Sequence, residues 1–332
     1  MNESPPELRG RLAPSPTGAL HLGNARSFLL AWLSMRSRGG SIVMRMEDLD
    51  HPKVKPAAAE EALEDLRWLG LDWDEGPDCG GPYMPYTQSM RIDHYRNALN
   101  LLEQKGLVYP CICSRSDVEA AQSAPHAGEE GLRYPGTCRE RNHTFSEARK
   151  LLSKDRIPAW RYRVEDQHVQ FVDGFCGPQD QHVHTEIGDF VIARHEDGAG
   201  YMLAVVVDDA AMGITDVLRG DDLLSTTHRQ ILLYRALGLE PPNFVHVPLV
   251  VSSDGRRLAK RHGDTRISAL RGQGVPAEKI VGLLAYWCGW AEWGECLSPT
   301  DLLPRFDMRC LPKTPAVLTD AVKQYLEIET VR

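Results

Sequence analysis

A loop rich in proline and glycine runs directly into a helical segment near the start of the chain. The loop, residues 11–24, reads RLAPSPTGALHLGN. Apolar residues behind it recur at the spacing of a helix with one buried face: Ala25, Phe28, Leu29, Trp32 and Leu33. Because a helix N-terminus presents unpaired N–H groups and a positive dipole end, the segment is suited to bind phosphate. An ordinary turn before a core helix would show the same pattern.

A basic loop much further along the chain forms a recognisable pair of motifs with the first loop. Residues 257–261 read RLAKR and follow the apolar run 245–251. Alone, a basic loop is most often a solvated surface. Together, residues 21–24 and 257–261 resemble the HIGH and KMSKS signatures of class I aminoacyl-tRNA synthetases. Further matches are similar to the glutamyl-tRNA synthetase family: RLAPSPTG at 11–18, RMED at 45–48 and DWDEG at 72–76.

Composition is that of a globular protein with a large core. The chain has 332 residues, of which 42% are hydrophobic and 25% charged, enough for two or three domains. Neither a membrane-spanning run nor a signal peptide is visible, so we expect a cytoplasmic protein with no membrane partner. Eight cysteines then indicate reduced thiols or bound metal. The net charge of −8 means that a tRNA would need a local basic patch, such as the arginines and lysine between Arg256 and Arg271.

The order of predicted elements indicates an α/β fold. A strand at 8–13, a helix ending before Gly39, and a buried strand at 41–46 make a βαβ unit, which predicts a parallel, Rossmann-type sheet. Ligands would then bind at the carboxyl ends of its strands. The later predicted elements are helices at 57–69 and 88–105, strands at 190–192, 201–207 and 245–251, a helix at 225–237, and mostly helix beyond 265.

A change to alternating, strand-like pieces between residues 107 and 187 predicts an inserted domain. We therefore divide the chain into a first catalytic half (1–106), an insertion (107–187), a second catalytic half (188–252), and a region with the basic loop and stem-contacting helices (253–332). In the resembled family the insertion is an α+β subdomain that handles the tRNA acceptor end.

The sequence of the insertion contains a candidate metal site. Cys111 and Cys113 form a C-x-C pair, and Tyr134 and Cys138 follow as Y-x3-C. Zinc prefers four ligands with soft thiolates among them, although tyrosine is an unusual donor. Free thiols are the alternative, and His182 with His184 is a rival pair. Glutamyl-queuosine tRNA(Asp) synthetases are similar at this place, and the resemblance implies one structural zinc per chain. The other cysteines are expected to be packing residues: Cys79, Cys176, Cys288, Cys296 and Cys310.

The resemblance also assigns an amino-acid pocket. Arg219 can form two hydrogen bonds with a carboxylate. The resemblance places Arg11 and Tyr201 in the same glutamate-recognising role, with Ser15 as a neighbour, and it pairs Glu47 with the substrate ammonium. Each could instead belong to a surface ion pair. Asp208 and Asp209, at the end of a predicted strand, are left open between contacting a ribose hydroxyl or ammonium and capping the next helix.

The two signatures imply ATP chemistry with magnesium on the phosphates. The expected ATP-binding residues are Pro14, Thr17, His21, Gly23, Asn24, Leu258 and Lys260. Of these, His21, Asn24 and Lys260 are assigned to catalysis of adenylate formation. Arg257 and Ala259 depart from the KMSKS pattern, but the second lysine of the pattern is kept. We therefore expect the site to be catalytically competent.

The length of chain beyond the basic loop indicates which member of the family this is. Residues 262–332 leave no room for the anticodon-binding domain of a charging enzyme. The chain is therefore expected to be a monomeric ligase that activates L-glutamate without tRNA and transfers it to queuosine in the anticodon loop of tRNA(Asp). Three alternatives remain: a minimal glutamyl-tRNA synthetase, a non-catalytic paralogue that binds amino acid or RNA, and a glutaminyl enzyme, against which Arg219 argues.

Overall fold

The first part of the fold is a βαβ unit with parallel strands. The computed structural model describes residues 7–49, 56–121, 133–194, 196, 200–256, 258 and 264–328. Strand β1 (Arg9–Leu12) pairs in parallel with β2 (Ser41–Met44), and helix α1 (Leu22–Arg36) connects them, as predicted. Two helices follow, α2 (Pro56–Trp68) and α3 (Ile92–Gln104). A separate 3-10 turn over Gln88–Met90 precedes α3, in place of one continuous helix.

The middle of the chain forms an antiparallel sheet and a hairpin. Its elements are β3 (Val108–Cys111), α4 (Arg115–Ala121), α5 (Phe145–Lys150), β4 (Ala159–Tyr162), β5 (His168–Asp173), β6 (Gly177–His182), α6 (Val183–Glu186) and β7 (Phe190–Ala193). Strands β3, β4 and β7 make the sheet, and β5 pairs with β6. The strand predicted at 190–192 exists, but it pairs with β4 and not with the parallel strands. Stacking of the Tyr162 and Phe190 rings, 5.4 Å apart, supports that pairing.

Residues 201–207 are helical, so the predicted strand is wrong. They open helix α7 (Tyr201–Ala211), which contacts α3, β7 and the helix at Leu224–Leu237. The three valines at 205–207 favour a strand locally. However, Leu203, Ala204 and Val206 are completely buried, and a short apolar run of this kind fits a buried helix equally well. Packing on several sides therefore decides the conformation.

A second parallel pair of strands lies beside the first, and the two pairs are separate two-stranded ladders in place of the one predicted sheet. The second pair consists of β8 (Asp216–Gly220) and β9 (Asn243–Val247), which are joined by helix α8 (Leu224–Leu237). Backbone N–H of Thr215 donates to Arg9 O at 2.9 Å, which places β8 beside β1. The strand predicted at 245–251 is divided, because β10 (Val250–Ser252) is a separate strand after Pro248.

The remaining described chain alternates short helices with loops and closes the core beside α1. It contains α9 (Ile267–Gly272), α10 (Ala277–Tyr286), α11 (Pro299–Leu302), β11 (Ala316–Leu318) and α12 (Asp320–Tyr325). Strand β11 pairs in parallel with β10. The predicted inner face of this region is buried: Ile280, Leu283, Leu284 and Trp287. Among the described helices, none combines the length and apolar character needed to cross a bilayer.

Candidate active site

One cavity of about 580 Å³ opens at the carboxyl ends of β1, β2 and β8. This is the edge of a parallel sheet where ligands are expected. Most of the residues predicted for ATP or glutamate line it: Arg11, Pro14, Ser15, Thr17, His21, Gly23, Asn24, Glu47, Tyr201, Arg219 and Leu258. Lys260, the remaining predicted residue, lies outside the described part of the chain, as do Arg257 and Ala259. The fold thus brings Leu258 of the second signature to the cavity that the first signature lines.

His21 caps helix α1 with its own side chain. Its Nδ1 accepts hydrogen bonds from the backbone N–H groups of Gly23 at 3.1 Å and Asn24 at 3.4 Å, while Asn24 Oδ1 accepts from His21 N at 3.3 Å. Leu22 N donates to Thr265 O at 3.1 Å. The expectation of unpaired N–H groups at this helix end is therefore wrong, because the protein itself supplies their acceptors. Since Nδ1 is an acceptor, neutral His21 carries its proton on Nε2.

Glu47 belongs to a buried network of charges beneath the cavity. Arg45 is completely buried and donates to Glu47 Oε1 at 2.9 Å and to Asp209 Oδ1 at 2.6 Å. Although burial opposes its charge, Asp209 and Glu47 together raise the pKa of Arg45 well above its usual value. Burial also raises the pKa of Glu47, against the opposing effect of Arg45 and Arg11. Glu47 is therefore held in place by a fixed cation and lines the cavity.

Arg11 and Arg219 bring two guanidinium groups to the same cavity. Arg11 Nη1 donates to Leu218 O at 3.3 Å, and its Nε lies 3.6 Å from Asp209 Oδ1. Arg219 is only 6% exposed, and burial lowers its pKa. Both side chains are anchored from behind, which reduces the entropy lost when they bind an anion.

The anchor of Arg219 is an imidazole whose tautomer is fixed by a carboxylate. His246 Nδ1 lies 2.6 Å from Asp173 Oδ2, and Arg219 Nε lies 3.0 Å from His246 Nε2. Burial lowers the pKa of His246, which favours a neutral ring. Because Asp173 can only accept while ionised, Nδ1 carries the proton and Nε2 accepts from Arg219. Arg219 Nη2 additionally donates to Thr227 and Gln230.

Asp208 and Asp209 lie within α7, so neither interpretation of them as strand-end residues holds. Asp208 is completely buried and accepts from Arg91 Nε at 2.6 Å, Gln88 Nε2 at 2.9 Å and Tyr95 Oη at 2.8 Å. Asp209 faces Arg45 and Arg11. Two acidic residues ending an apolar segment were the sequence signal for such a network, since buried carboxylates need cationic partners. By contrast, no local pattern marked Asp173, His246, Thr227 or Gln230.

The predicted metal-binding residues also come together. The Sγ atoms of Cys111, Cys113 and Cys138 lie within 4.8 Å of one another. Tyr134 Oη is 3.3 Å from Cys111 Sγ and 3.6 Å from Cys113 Sγ. Hydrogen bonding from Cys111 lowers the pKa of Cys138 to about 4, and the same interaction raises that of Cys111. One thiolate is thus stabilised inside a cluster of three sulfur atoms and one phenol oxygen.

The other candidate ligands separate clearly from this cluster. His182 Nε2 lies 2.8 Å from Asp166, and His184 Nδ1 lies 3.2 Å from Val164 O. His184 also sits in α6 and not on a strand. All eight cysteines are free thiols. Of the five that were expected to be packing residues, Cys288 is buried as predicted. The prediction is wrong for the other four, which are exposed: Cys79, Cys176, Cys296 and Cys310.

Comparison with known proteins finds relatives that all belong to one group of tRNA synthetases. The family model for the catalytic domain of class I tRNA synthetases (E and Q) matches residues 7–322. The glutamyl-Q tRNA(Asp) synthetase of Symbiobacterium thermophilum is 50% identical over 93% of this chain and 95% of the relative. That of Nitratidesulfovibrio vulgaris is 48% identical over 96% and 98%. A crystal structure of a glutamate tRNA ligase from Elizabethkingia meningosepticum, in complex with its amino acid, is 26% identical with a TM-score of 0.79, covering 96% of this chain and 68% of that chain.

Proposed function

The chain belongs to the family of class I tRNA synthetases for glutamate and glutamine (E and Q), and we propose that it activates L-glutamate with ATP and transfers the glutamate to the queuosine base of tRNA(Asp). The transfer step is supported by two nearly full-length relatives, about half identical, that are named glutamyl-Q tRNA(Asp) synthetases.

The charge arrangement of the cavity is the observation that carries the choice of amino acid. Arg11 in β1 and Arg219 in β8 present cations to the cavity, and Glu47, which follows β2, presents an anion. Glutamate has two carboxylates and one ammonium, so its charges complement this set. Glutamine would leave a buried guanidinium facing an amide, which forgoes a charge-assisted hydrogen bond. Ser15 and Tyr201 add hydroxyl groups on the cavity wall.

Adenylate formation depends on the groups around the phosphate loop. A carboxylate oxygen of glutamate attacks the α-phosphorus of ATP, and the bond to the β-phosphate oxygen breaks to release pyrophosphate. In our proposal His21 donates from Nε2, because its Nδ1 already accepts from the helix backbone. Asn24 and Lys260 also stabilise charge on the phosphate oxygens. Magnesium, when bound to ATP, neutralises part of the same charge.

The cysteine cluster is suited to a structural zinc ion. Three thiolates and one phenolate make four donors at the mutual distances found here, and zinc favours such soft, tetrahedral sets. Cys111, Cys113, Tyr134 and Cys138 would hold it. The site ties the two ends of residues 114–133 together, within the subdomain that we propose for residues 107–187.

Transfer of labelled glutamate to purified tRNA(Asp) tests the proposal. Queuosine-containing and queuosine-free tRNA(Asp) are compared, with tRNA(Glu) as a third substrate. We expect label on the queuosine form alone, and we expect it to survive removal of the tRNA 3′ end. Label on tRNA(Glu) that periodate oxidation of the 3′ end abolishes would identify a charging enzyme instead. Absence of glutamate-dependent pyrophosphate exchange would identify a non-catalytic paralogue.

A further inference from the structure

A buried arginine of helix α1 carries a charge that its surroundings compensate poorly. Arg26 is 1% exposed, and its Nη1 donates to the backbone carbonyl of Pro248 at 2.5 Å. Among the residues that the structure describes, no oxygen accepts a hydrogen bond from its Nε or Nη2, and no carboxylate pairs with it. Its other polar neighbour is the thiol of Cys288, whose pKa is raised by burial and lowered by Arg26. By contrast, the buried Arg45 and Arg91 each pair with a carboxylate.

Stability alone does not explain an arginine at this position. A buried charge without an ionic partner costs free energy, and an apolar side chain of similar volume in its place is often neutral or stabilising. The hydrogen bond from Arg26 to Pro248 is therefore the feature that requires an explanation.

Pro248 stands at the start of a segment that lines the active-site cavity. Leu249 and Val250, the next two residues, both line that cavity. Val250 also packs on α1, because a Cβ added to Gly23 would lie 3.7 Å from Val250 Cβ. Strand β10 begins at Val250, and the second signature follows the end of that strand. The hydrogen bond from Arg26 thus joins the helix of the first signature to the chain that leads into the second.

The peptide group that follows Pro248 is held from its other side by an acidic residue. Asp221 directly follows β8, and the Leu249 backbone N–H donates to its carboxylate. Burial and the neighbouring Asp222 raise the pKa of Asp221, whereas the charge of Arg26 and this hydrogen bond lower it. The peptide between Pro248 and Leu249 therefore has a cation at its oxygen and an anion at its N–H. Because a peptide group is a dipole, both charges favour the same orientation of it.

Other contacts of Leu249 transmit this orientation to the cavity wall. A Cβ added to Gly220 would lie 2.6 Å from Leu249 Cδ2, so the leucine side chain packs directly on the end of β8. The carbonyl of Leu249 accepts from Ala316 N, in β11, at 3.0 Å. A rotation of the preceding peptide would therefore disturb the side chain and the strand pairing together.

We propose that Arg26 is a positioning residue for ATP, which together with Asp221 clamps the peptide between Pro248 and Leu249 and so fixes the cavity wall between the two signatures. The inference rests on the function proposed above, because it concerns the same cavity. Arg26 itself does not line the cavity, so it acts through Leu249 and Val250. Arg219 and Glu47 are anchored by other side chains. ATP binding should therefore depend on Arg26, and glutamate binding should not.

Arg26→Met tests the clamp, since it removes the charge and the donor and keeps an apolar stem. We expect the KM for ATP in glutamate-dependent pyrophosphate exchange to rise about tenfold or more, as for loss of a hydrogen bond from a charged group, with the KM for glutamate nearly unchanged. Tm should not fall, because a poorly compensated charge is removed. Arg26→Lys, which keeps the charge and a donor, should recover part of the ATP affinity. Arg36→Met, at the other end of α1, is the matched control and should keep both KM values.

Combining Arg26→Met with Asp221→Asn tests whether the two residues hold one peptide. Effects of independent residues on the KM for ATP multiply, whereas the two sides of one clamp give a double variant well below that product. A full product would overturn the clamp. Parallel rises of both KM values in Arg26→Met, with a lower Tm and no recovery in Arg26→Lys, would show that Arg26 is a structural residue.

Calorimetric binding of magnesium ATP without glutamate keeps the test independent of turnover. We expect the Kd for ATP to rise in Arg26→Met by the same factor as the KM. If the wild-type protein binds ATP but shows no exchange, the proposed activation step is wrong, and the Kd values of the variants still decide the role of Arg26. A wild-type protein that does not bind ATP would refute both proposals.

Discussion

Arg219 donates to His246 Nε2 at 3.0 Å because His246 Nδ1 is engaged by Asp173 at 2.6 Å. Asp173 in turn accepts backbone N–H groups of Phe175, Cys176 and His246 on its other oxygen, Oδ1. Although burial opposes ionisation, these hydrogen bonds lower the pKa of Asp173, so it stays a carboxylate. The orientation of Arg219 thus depends on a carboxylate that touches no substrate.

Asp173→Asn tests this dependence through the histidine tautomer. The asparagine amide can donate to Nδ1, which moves the imidazole proton to Nε2, where it faces the Arg219 N–H. We expect the KM for glutamate in pyrophosphate exchange to rise about tenfold to a hundredfold, as for loss of a hydrogen bond to a charged group, with a smaller change in the KM for ATP. Asp180→Asn, in the same hairpin but exposed, is the control. Equal changes in both KM values would indicate a general structural effect.

Lys260→Ala should abolish most of the adenylation rate without unfolding the protein. Loss of one preorganised donor to developing charge typically costs about 10²–10³ in rate. We expect a fall of this size in single-turnover adenylate formation, an unchanged Tm, and a wild-type rate for Lys313→Ala, which removes an exposed lysine. A rate within a few-fold of wild type would remove Lys260 from the catalytic group.

The cysteine cluster predicts one zinc ion per chain by elemental analysis. Cys138→Ser should lose the metal, because the thiolate with the lowered pKa is the first ligand available at neutral pH. Tyr134→Phe should retain zinc more weakly, while exposed Cys296→Ser keeps it fully. We expect pyrophosphate exchange to persist in Cys138→Ser and Tyr134→Phe, since none of the cluster residues lines the active-site cavity. A metal-free wild-type protein that stays folded would contradict the prediction.

Asp65 should make the protein less stable as the pH rises. It is completely buried on α2, and burial raises its pKa from 3.8 to about 6, even though Arg271 lies 3.4 Å away. The folded protein therefore binds this proton more tightly than the unfolded chain, and the free energy of unfolding falls between about pH 4 and pH 6. The difference in the free energy of unfolding between Asp65→Asn and wild type should shift by about 1–2 kcal/mol in favour of the variant between pH 4 and pH 7. Thermal unfolding at both pH values, with exposed Glu60→Gln on the same helix as control, measures this difference.

The sequence predicted the parts of the fold that short-range patterns specify. Strands β1 and β2 flank helix α1, and that order allows few topologies. The helix itself is covered on more than the one face predicted, since none of its residues is exposed. The segment 201–207 was misassigned because burial on several sides removes the polar face that would reveal a helical period. Likewise, the strand at 190–192 was found, but its partner β4 depends on packing that a linear pattern does not encode.

The candidate site divides in the same way. The residues that line the cavity belong to continuous motifs, so the sequence alone could identify them. The residues that hold them in place could not be identified in this way. Asp173 and His246 are 73 positions apart, and each is an ordinary residue in its local context. The expectation of unpaired N–H groups at the start of α1 was also wrong. His21, which was interpreted only as a ligand-binding residue, caps that helix with its own side chain.

The position of Asp173 limits how this chain can be shortened or recombined. It ends strand β5, inside the stretch proposed as an insertion, yet it supports an arginine of the central sheet. In a chimaera whose residues 107–187 come from a relative, the residue at position 173 would come from that relative, so the affinity for the amino acid would change as well. To transfer only the RNA preference, Asp173 would therefore have to be kept from the present chain.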